Sequence, residues 1–596
     1  VSLNRGAAGG LFTFYLYRGA IRMLVEYAPG RYAHANCSPP PVGQWCHLVG
    51  TYDGKTIRIF RDGDLVGAEE AAGRMRESRA PLVIGALAPA ARPFRGMLND
   101  LAVWDRALTP EEVRTVAADP LACAEGRFAW WRAQDRSGDQ WPSRGSAELV
   151  AQWREHPPDR GTPVDGYRGI WYAIQPSGDE YGYKYSGGLG TYCAKHIPMG
   201  VYCEAVHKTF FCYGGTAPDE NRLWHMVACY DHATHTVSHP VKVLDKRTAD
   251  AHDNPVLQVD GEGYIWLFSS SHGRVRPSYI HRSSKPYSIE RFEHVLTTNF
   301  SYPQPWVLPA HGFVFLHTRY EGGRRLYCWR SRDGKRWDDP VLLARIGQGH
   351  YQVSWARGNR VGTAFNYHPP EKGLNWRTNL YYMETRDGGE TWTTVDGTGL
   401  DLPLTELGNP ALVRDYESET RNVYMKDLNF GPEGRPVILY LTSAGYRAGP
   451  ENGPRVWHTA RWTGDEWDIR AGPVSDSNYD TGCLHIERSG EWRLMAPTGT
   501  GPQPYNPGGE VVLWGSPDQG RTWRQERQLT RNSEFNHTYC RRPVNAHPDF
   551  YALWADGHAR RPSDSRLYIT DRSGTRVRRL PEEIQGEGPV RPPATE

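Results

Sequence analysis

Almost no net charge is left over in this sequence: 70 Lys and Arg stand against 68 Asp and Glu in 596 residues, a balance of +2. Nothing in that balance would hold a phosphate backbone or an anionic bilayer, so no nucleic acid and no membrane partner is expected. No run approaches the ~18 apolar residues of a spanning helix. The ten cysteines, at 37, 46, 123, 193, 203, 212, 229, 328, 483 and 540, include no CxxC pair. That argues against a zinc cage and leaves disulfides and buried thiols both open. No DxDxDG loop or comparable ligand cluster marks a calcium site. The residues from Val1 onward hold no leader-like stretch, and the expectation is a secreted or periplasmic protein whose signal peptide has been removed.

What is present is a β-protein composition, with 63 Gly, 45 Pro, 22 Trp and 33 Tyr. The length exceeds what one core supports and implies at least two domains. The most informative stretch is HDNPVLQVD-GEG-YIWLFSSSH (252–272), two apolar runs around a Gly-containing turn, which reads as a β-hairpin. Its turn is centred on Glu262, with His252 ten residues before it and His272 ten after. An antiparallel hairpin returns such positions to one edge, so two imidazoles meet at its mouth.

The layout recurs. SYPQPWVL/PAHG/FVFLHTRY sets Tyr302 and Arg319 at matching distances from a turn near 310, and similar units occupy 196–215, 350–368, 422–443, 482–498 and 541–557. Seven hairpins result, their turn centres about 57 residues apart, the spacing of propeller blades. SRDGKRW (331–337), TRDGGETW (385–392) and SPDQGRTW (516–523) between them read as Asp-box turns, whose role is structural. The predicted fold class is therefore all-β: a seven-bladed β-propeller over 166–596, preceded by a β-sandwich over 1–120, with 121–165 a linker that also completes the sandwich. PPDRGTPVDG (157–166) supplies the Pro/Gly part of that linker. In FRGMLNDLAVWDRALTPEEVRTV, Thr109 is expected to cap a short helix carrying acids in its first turn.

First strands of propeller blades converge on the axis, so the hairpin mouths contribute to one central pocket. His252, His272, Tyr302 and Arg319 belong there, with His196, His350, His368, Arg377, Tyr479, Tyr539 and Arg541 at comparable mouths. Asp253 and Asp480 lie close, but no carboxylate pair stands at these positions, which weakens a two-acid glycosidase reading. Two His, a Tyr and an Arg suit a different reaction, removal of the C5 proton of a uronic acid. The Arg neutralises the adjacent carboxylate, one of His or Tyr takes the proton and another protonates the departing 4-oxygen. Such a site requires no redox cofactor and no catalytic metal.

Two resemblances sharpen this. WCHLVGTYDG (45–54), IRIFRDG (57–63) and GMLNDLAVWDRALTPEEV (96–113) resemble the laminin-G-like or concanavalin-like jelly roll, which binds carbohydrate or serves as a packing module. AWWRAQDRSGDQWPSRGSAELV (129–150) looks like the opening strand that its front lacks. HDNPVLQVDGEGYIWLFSSSHG, SYPQPWVL with HTRY, the Asp boxes, and GHYQVSW with NWRTNLYYMETRDGGETW resemble the bacterial-neuraminidase-type repeat proteins of the fourth kind. These include the seven-bladed ulvan lyases and the L-rhamnose-α-1,4-D-glucuronate lyases, and the resemblance spans 166–590.

It implies His252, His272, Tyr302 and Arg319 as the catalytic set, with Arg377, His196, His368 and Arg541 binding substrate. It also implies a structural Ca²⁺ near the propeller axis, with no ligands assigned. GYRGIWYAIQPSGDEYGYKYSGGLGTYCAKHIP (166–198) most resembles the rhamnose-glucuronate branch, which trims terminal rhamnose from arabinogalactan side chains such as those of gum arabic. That branch includes α-L-rhamnosidases, for which His196 would be the catalytic histidine. The expected activity is a lyase acting on an acidic polysaccharide with rhamnose-glucuronate ends. A hydrolase of the same linkage, an ulvan-type endo-lyase and a non-catalytic sugar-binding protein are the alternatives, and which of His272 and Tyr302 is base stays open.

Overall fold

The computed structural model describes residues 161–595 without a break and, before them, 2–3, 12–17, 20–28, 31–40, 46–75, 82–83, 86–88, 91–93, 100–119, 122–131, 140–142 and 150–152. They fall into two units, Val1–Pro157 and Pro158–Glu596.

In the first unit, strands Phe12–Tyr17, Ala20–Ala28 and Arg31–Cys37 form one antiparallel sheet with Ser2–Leu3 and Leu82–Val83, and Leu48–Tyr52, Thr56–Arg61 and Asp64–Glu70 form a second. Alternate residues point inward, so Ile21, Met23 and Val25 meet Ile57 and Ile59 in a shared core. The helix is Pro110–Ala118, and Thr109 closes the expected capping box with Glu112. Arg127–Trp131, the start of the predicted extra strand, pairs antiparallel with Leu101–Trp104, while Gln140–Pro142 pairs with Val150–Gln152. The remaining parts of that segment, 132–139 and 143–149, and residues 157–160 of the predicted linker lie outside the described residues.

The second unit is a seven-bladed propeller. Blade 1 contains Gly200–Cys203, Lys208–Gly215, Trp224–Asp231 and Val241–Asp245, with Thr162–Pro163 added at its outer edge. Blades 2 to 7 are four-stranded and begin at Pro255, Ser301, Gln352, Asn422, Cys483 and Asn536. Six of the seven hairpins read from the sequence are the inner two strands of these blades; in blade 7 the first strand is Asn536–Arg541, ahead of the start read at 541, and Val544 beyond it bridges to blade 1 instead. Their strands are buried on both faces, as Val256, Leu257, Leu267 and Phe268 are in blade 2, because each blade packs against two neighbours. Between blades the filler is aromatic. Trp337 of the first Asp box wedges among Phe268 of blade 2 and Phe313, Phe315 and Trp329 of blade 3.

The ring closes where Val544 of blade 7 exchanges backbone hydrogen bonds with Gly200 and Tyr202 of blade 1. Turns between first and second strands lie on one face, and the starts of first strands lie on the other, the mouth. A separate hairpin, Trp171–Pro176 with Tyr183–Gly188, belongs to no blade. All ten cysteines are free thiols.

Candidate active site

Asp250 is the N-cap of a single 3₁₀ turn, Ala251–Asp253, and accepts a hydrogen bond from the His252 backbone N–H at 3.0 Å. That turn brings His252 Nδ1 to 2.7 Å from Asp250 Oδ1. The second strand of the hairpin delivers His272, whose Nδ1 lies 2.7 Å from Oδ2 of the same carboxylate. The two imidazoles stack, with centroids 3.9 Å apart and planes 14° from parallel. Arg276 reaches both Asp250 Oδ2, at 3.3 Å, and Asp253 Oδ2, at 2.6 Å, and Asp253 Oδ1 accepts from the His272 N–H at 2.6 Å.

Burial would raise the Asp250 carboxyl, but the hydrogen bonds from His252 and His272 outweigh it and hold the group well below the usual carboxylate range. An ionised acceptor fixes both tautomers, because each Nδ1 must carry its hydrogen. His252 Nε2 is occupied, 2.7 Å from the hydroxyls of Tyr185 and Tyr192. Burial, and then His272 beside it, lower the His252 pKa to about 4, so this ring is neutral at neutral pH. His272, 28% exposed in its side chain, is left with its Nε2 at the pocket surface.

Tyr302 sits at a bulge in the first strand of blade 3, where the register shifts between Ser301 and Gln304. Its φ is +53°, a left-handed conformation that is strained for a tyrosine and that turns the ring toward the axis. The ring contacts His196, His252 and Tyr351, and its hydroxyl lies 3.3 Å from that of Tyr320. Burial, with Tyr320 and Tyr351 adjacent, pushes the phenol well above its ordinary value, so it keeps its proton.

Arg319 is placed on the opposite side of its strand from Tyr320, its guanidinium over Tyr327 at 5.2 Å and Trp329 at 5.7 Å. The arginine that reaches the tyrosine cluster is Arg324, the cross-strand partner of Tyr320, which donates to the Tyr320 hydroxyl at 3.3 Å and lies over Tyr351. Arg377 joins it over Tyr351, Tyr424 and Tyr479. Lys184, from the hairpin outside the blades, donates to Asn375 Oδ1 at 2.5 Å. Burial, and then Arg377 and Arg324, lower the Lys184 pKa to about 7. Three cations thus converge, and buried nitrogens of Arg324 and Arg377 have no hydrogen-bond partner among the described residues. Such a group calls for an anionic ligand.

The other predicted residues form two sets. His368, fully buried, donates from Nδ1 to the Trp376 carbonyl at 2.7 Å; its ring abuts Tyr351, and its Nε2 has no partner among the described residues. Tyr479 packs against Tyr185 with centroids 4.7 Å apart and the ring planes tilted by 38°. Beneath the pocket, His196 is fully buried, its Nδ1 accepting from the Cys193 N–H at 3.3 Å and its Nε2 donating to the His252 carbonyl at 3.1 Å. Arg541 donates to the His196 carbonyl, and Tyr539 packs on Tyr192. His350 spends both ring nitrogens on backbone, with Asn366 O at 2.8 Å and Ile346 N at 2.9 Å. His196, Arg541 and His350 therefore brace the site from below.

Sequence reasoning missed Asp250, Tyr185, Tyr192, Tyr320, Arg324 and Lys184. The Asp-x-His spacing of Asp250 and His252 was the legible signal for the first. Asp250, His252 and His272 also offer ligand atoms within 4.8 Å of one another, a nitrogen-rich set fit for a transition metal. Their 2.7 Å hydrogen bonds already close the set on itself. Calcium would want oxygen ligands that this set does not supply.

Residues 2–114 match the concanavalin A-like lectin/glucanases superfamily, and residues 209–474 match the BNR repeat-containing family. The chain is 24% identical over 406 residues to an ulvan lyase of Nonlabens ulvanivorans, covering 60% of this chain and 82% of that protein. It is 23% identical over 425 residues to an ulvan lyase of Alteromonas sp. (strain LOR), covering 63% and 84%. Among solved structures, a PL25 ulvan lyase is similar with a TM-score of 0.53 and 18% identity over 69% of this chain and 96% of that one, a likeness of fold.

Proposed function

We propose that this protein is a polysaccharide lyase that cleaves terminal L-rhamnose-α-1,4-D-glucuronate linkages by β-elimination. The observation that carries the proposal is the Asp250 carboxylate pinned between two imidazoles, which leaves His272 Nε2 free near Tyr320, the tyrosine that Arg324 bonds, while Arg324, Arg377 and Lys184 have no acidic partner among the described residues. Arg324, Arg377 and protonated Lys184 receive the uronate carboxylate and stabilise the charge that develops as C5 loses its proton. His272 Nε2 takes that proton. The C5–H electrons form the C4=C5 double bond, the C4–O4 bond breaks, and the protonated Tyr302 hydroxyl donates to the leaving oxygen. Exchange with water resets both groups. The products are L-rhamnose and a 4,5-unsaturated glucuronate.

The curated relatives named ulvan lyases support the reaction class. A solved relative described as bound to -[GlcA(1-4)Rha3S]- supports a pocket that accepts neighbouring glucuronate and rhamnose. Hydrolysis is the poorer fit. Asp250 and Asp253 are consumed by His252, His272, Arg276 and Lys246; the Asp480 carboxyl, which burial raises, is enclosed and accepts from the Gly508 and Ser477 N–H groups; and His196 has no free ring nitrogen. An internally cutting ulvan-type lyase is the second reading, favoured by the names of the relatives. A polymeric substrate puts the protein's work outside the cytoplasm, secreted or periplasmic.

The test is to follow the ultraviolet absorbance of the unsaturated uronate during digestion of gum arabic while assaying free rhamnose. Matching rises in both, abolished by His272→Ala and Tyr302→Phe, are expected. Rhamnose release without absorbance would establish hydrolysis and overturn the elimination.

A further inference from the structure

A second group of metal-ligating side chains lies on the opposite face from the mouth, where the first and last blades meet. His207 is in the turn between the first two strands of blade 1, and His232 follows its third strand. His547 and Asp549 occupy the corresponding turn of blade 7. One ligand atom from each of His232, His547 and Asp549 lies within 4.8 Å of the others. The rings of His232 and His547 are 3.9 Å apart by centroid, and His207 is 5.3 Å from His232 and 5.2 Å from His547.

His232 points to a ligand independently of that proximity. It is 3% exposed, its Nε2 is held at 2.8 Å by the Thr209 hydroxyl, and its buried Nδ1 has no hydrogen-bond partner among the described residues. A ring fixed through one nitrogen with the other left bare is the arrangement of a metal-bound histidine, whose far nitrogen is oriented by a neighbour. Asp549 is similarly divided. Its Oδ1 accepts from Arg576 at 2.7 Å, while Oδ2 faces His547 Nδ1 at 3.8 Å and His235 Nδ1 at 3.9 Å. The Asp549 N–H also donates to His547 Nδ1, at 3.2 Å.

We propose that His232, His547 and Asp549 bind a first-row transition cation of the Zn²⁺ class, with His207 or water in the fourth position, and that this ion staples blade 1 to blade 7. Two imidazoles and a carboxylate are a borderline-soft set that favours Zn²⁺ over Ca²⁺ or Mg²⁺. Tetrahedral bonds of about 2.0–2.1 Å would draw the ligand atoms to roughly 3.3 Å apart, a shift that small side-chain rotations supply. The mechanical reason lies in the closure. Blade 1 and blade 7 are each built from their own stretch of chain, and among the described residues their backbones are joined through Val544 and through residues 590–595, which bond to Val237 of blade 1 and to Val577 and Arg579 of blade 7; an ion at the histidine cluster would add a side-chain link to these.

Equilibrium dialysis of the intact protein against Zn²⁺, and against Co²⁺ with its d–d absorption as the reporter, tests this. The expected result is one equivalent bound with a tetrahedral Co²⁺ spectrum and a Zn²⁺-dependent rise in Tm. His232→Ala and the isosteric Asp549→Asn should weaken binding at least about tenfold and remove the Tm response, whereas His272→Ala should retain both. Asp549→Asn keeps the test decisive if His232→Ala fails to fold. Absence of saturable binding, or binding that survives Asp549→Asn and disappears in His272→Ala, would overturn the proposal.

Discussion

Asp250 stands two residues before His252, yet its role follows from the 3₁₀ turn that folds its carboxylate back onto the ring and leaves the second oxygen for His272. An amide in its place presents one acceptor and one donor, so it can hold only one of the two imidazoles in the Nδ1–H tautomer. Asp250→Asn is therefore expected to lower kcat by about 10²–10⁴-fold, the usual contribution of general acid–base groups, with little change in KM. Steady-state kinetics alongside circular dichroism checks this, and an unchanged kcat would remove Asp250 from the mechanism.

Lys184 gives a pH-dependent prediction. Its pKa near 7, lowered by burial and then by Arg377 and Arg324, makes it a cation below that pH and neutral above it. KM for an anionic substrate should rise as pH climbs through about 7, while Lys184→Met should show a high KM that is flat across the same window. A wild-type KM that does not move there would assign the anion site to the two arginines alone.

Arg319 and Arg324 show why a pattern of hairpin mouths locates residues only to within a pleat. Successive side chains of a strand face opposite ways, so a displacement of one position exchanges the two sides of a blade. Arg319 goes to Tyr327 and Trp329, Tyr320 goes to Tyr302, and the useful guanidinium comes from Arg324 on the next strand.

At the scale of elements, the hairpins were legible because apolar runs and turn residues repeat with them, and those signals are local. The bulge at Tyr302 was not. The register shift and positive φ that aim its ring are set by pairing with the second strand of blade 3. The Asp boxes were legible in both sequence and role. Asp333 accepts from the N–H groups of Lys335 and Arg336 at 2.8 Å, and the Trp337 that follows packs between blades. These turns join third and fourth strands on the face away from the mouth. Trp337→Ala, at a half-buried ring, should cost about 2–3 kcal/mol, somewhat below the usual loss for a fully buried aromatic. Urea unfolding would register that loss as a lower midpoint, with kcat per folded molecule unchanged. A matched fall in kcat would mean that the blade 2–blade 3 wedge positions His272 or Tyr302.

For the whole molecule, the residues that shape the pocket come from stretches far apart in sequence. The hairpin Trp171–Pro176 with Tyr183–Gly188 shows no blade periodicity, and its partners could not be read from its own residues. Folded, it crosses the mouth. Lys184 bonds to Asn375 of blade 4, the Tyr181 carbonyl accepts from Asn506 of blade 6 at 2.9 Å, and Arg560 of blade 7 stacks on the Tyr181 ring. Tyr185, on the same hairpin, is the neighbour of His252. A strand pair bonded to three blades walls one side of the site, and on the proposed reading that wall receives a chain end rather than the interior of a polymer. Free rhamnose should therefore appear from the first time point with the viscosity of the polysaccharide nearly constant. An early collapse in viscosity with oligosaccharide products would mean that a continuous chain passes the hairpin, and would favour the internally cutting reading. Tyr181→Ala combined with Arg560→Ala, which loosens the hairpin at blade 7 without replacing His272, Tyr302 or any of the three cations, should raise KM for terminal rhamnose release more than it lowers kcat, since the wall and the Lys184 it carries position substrate and take no part in proton transfer.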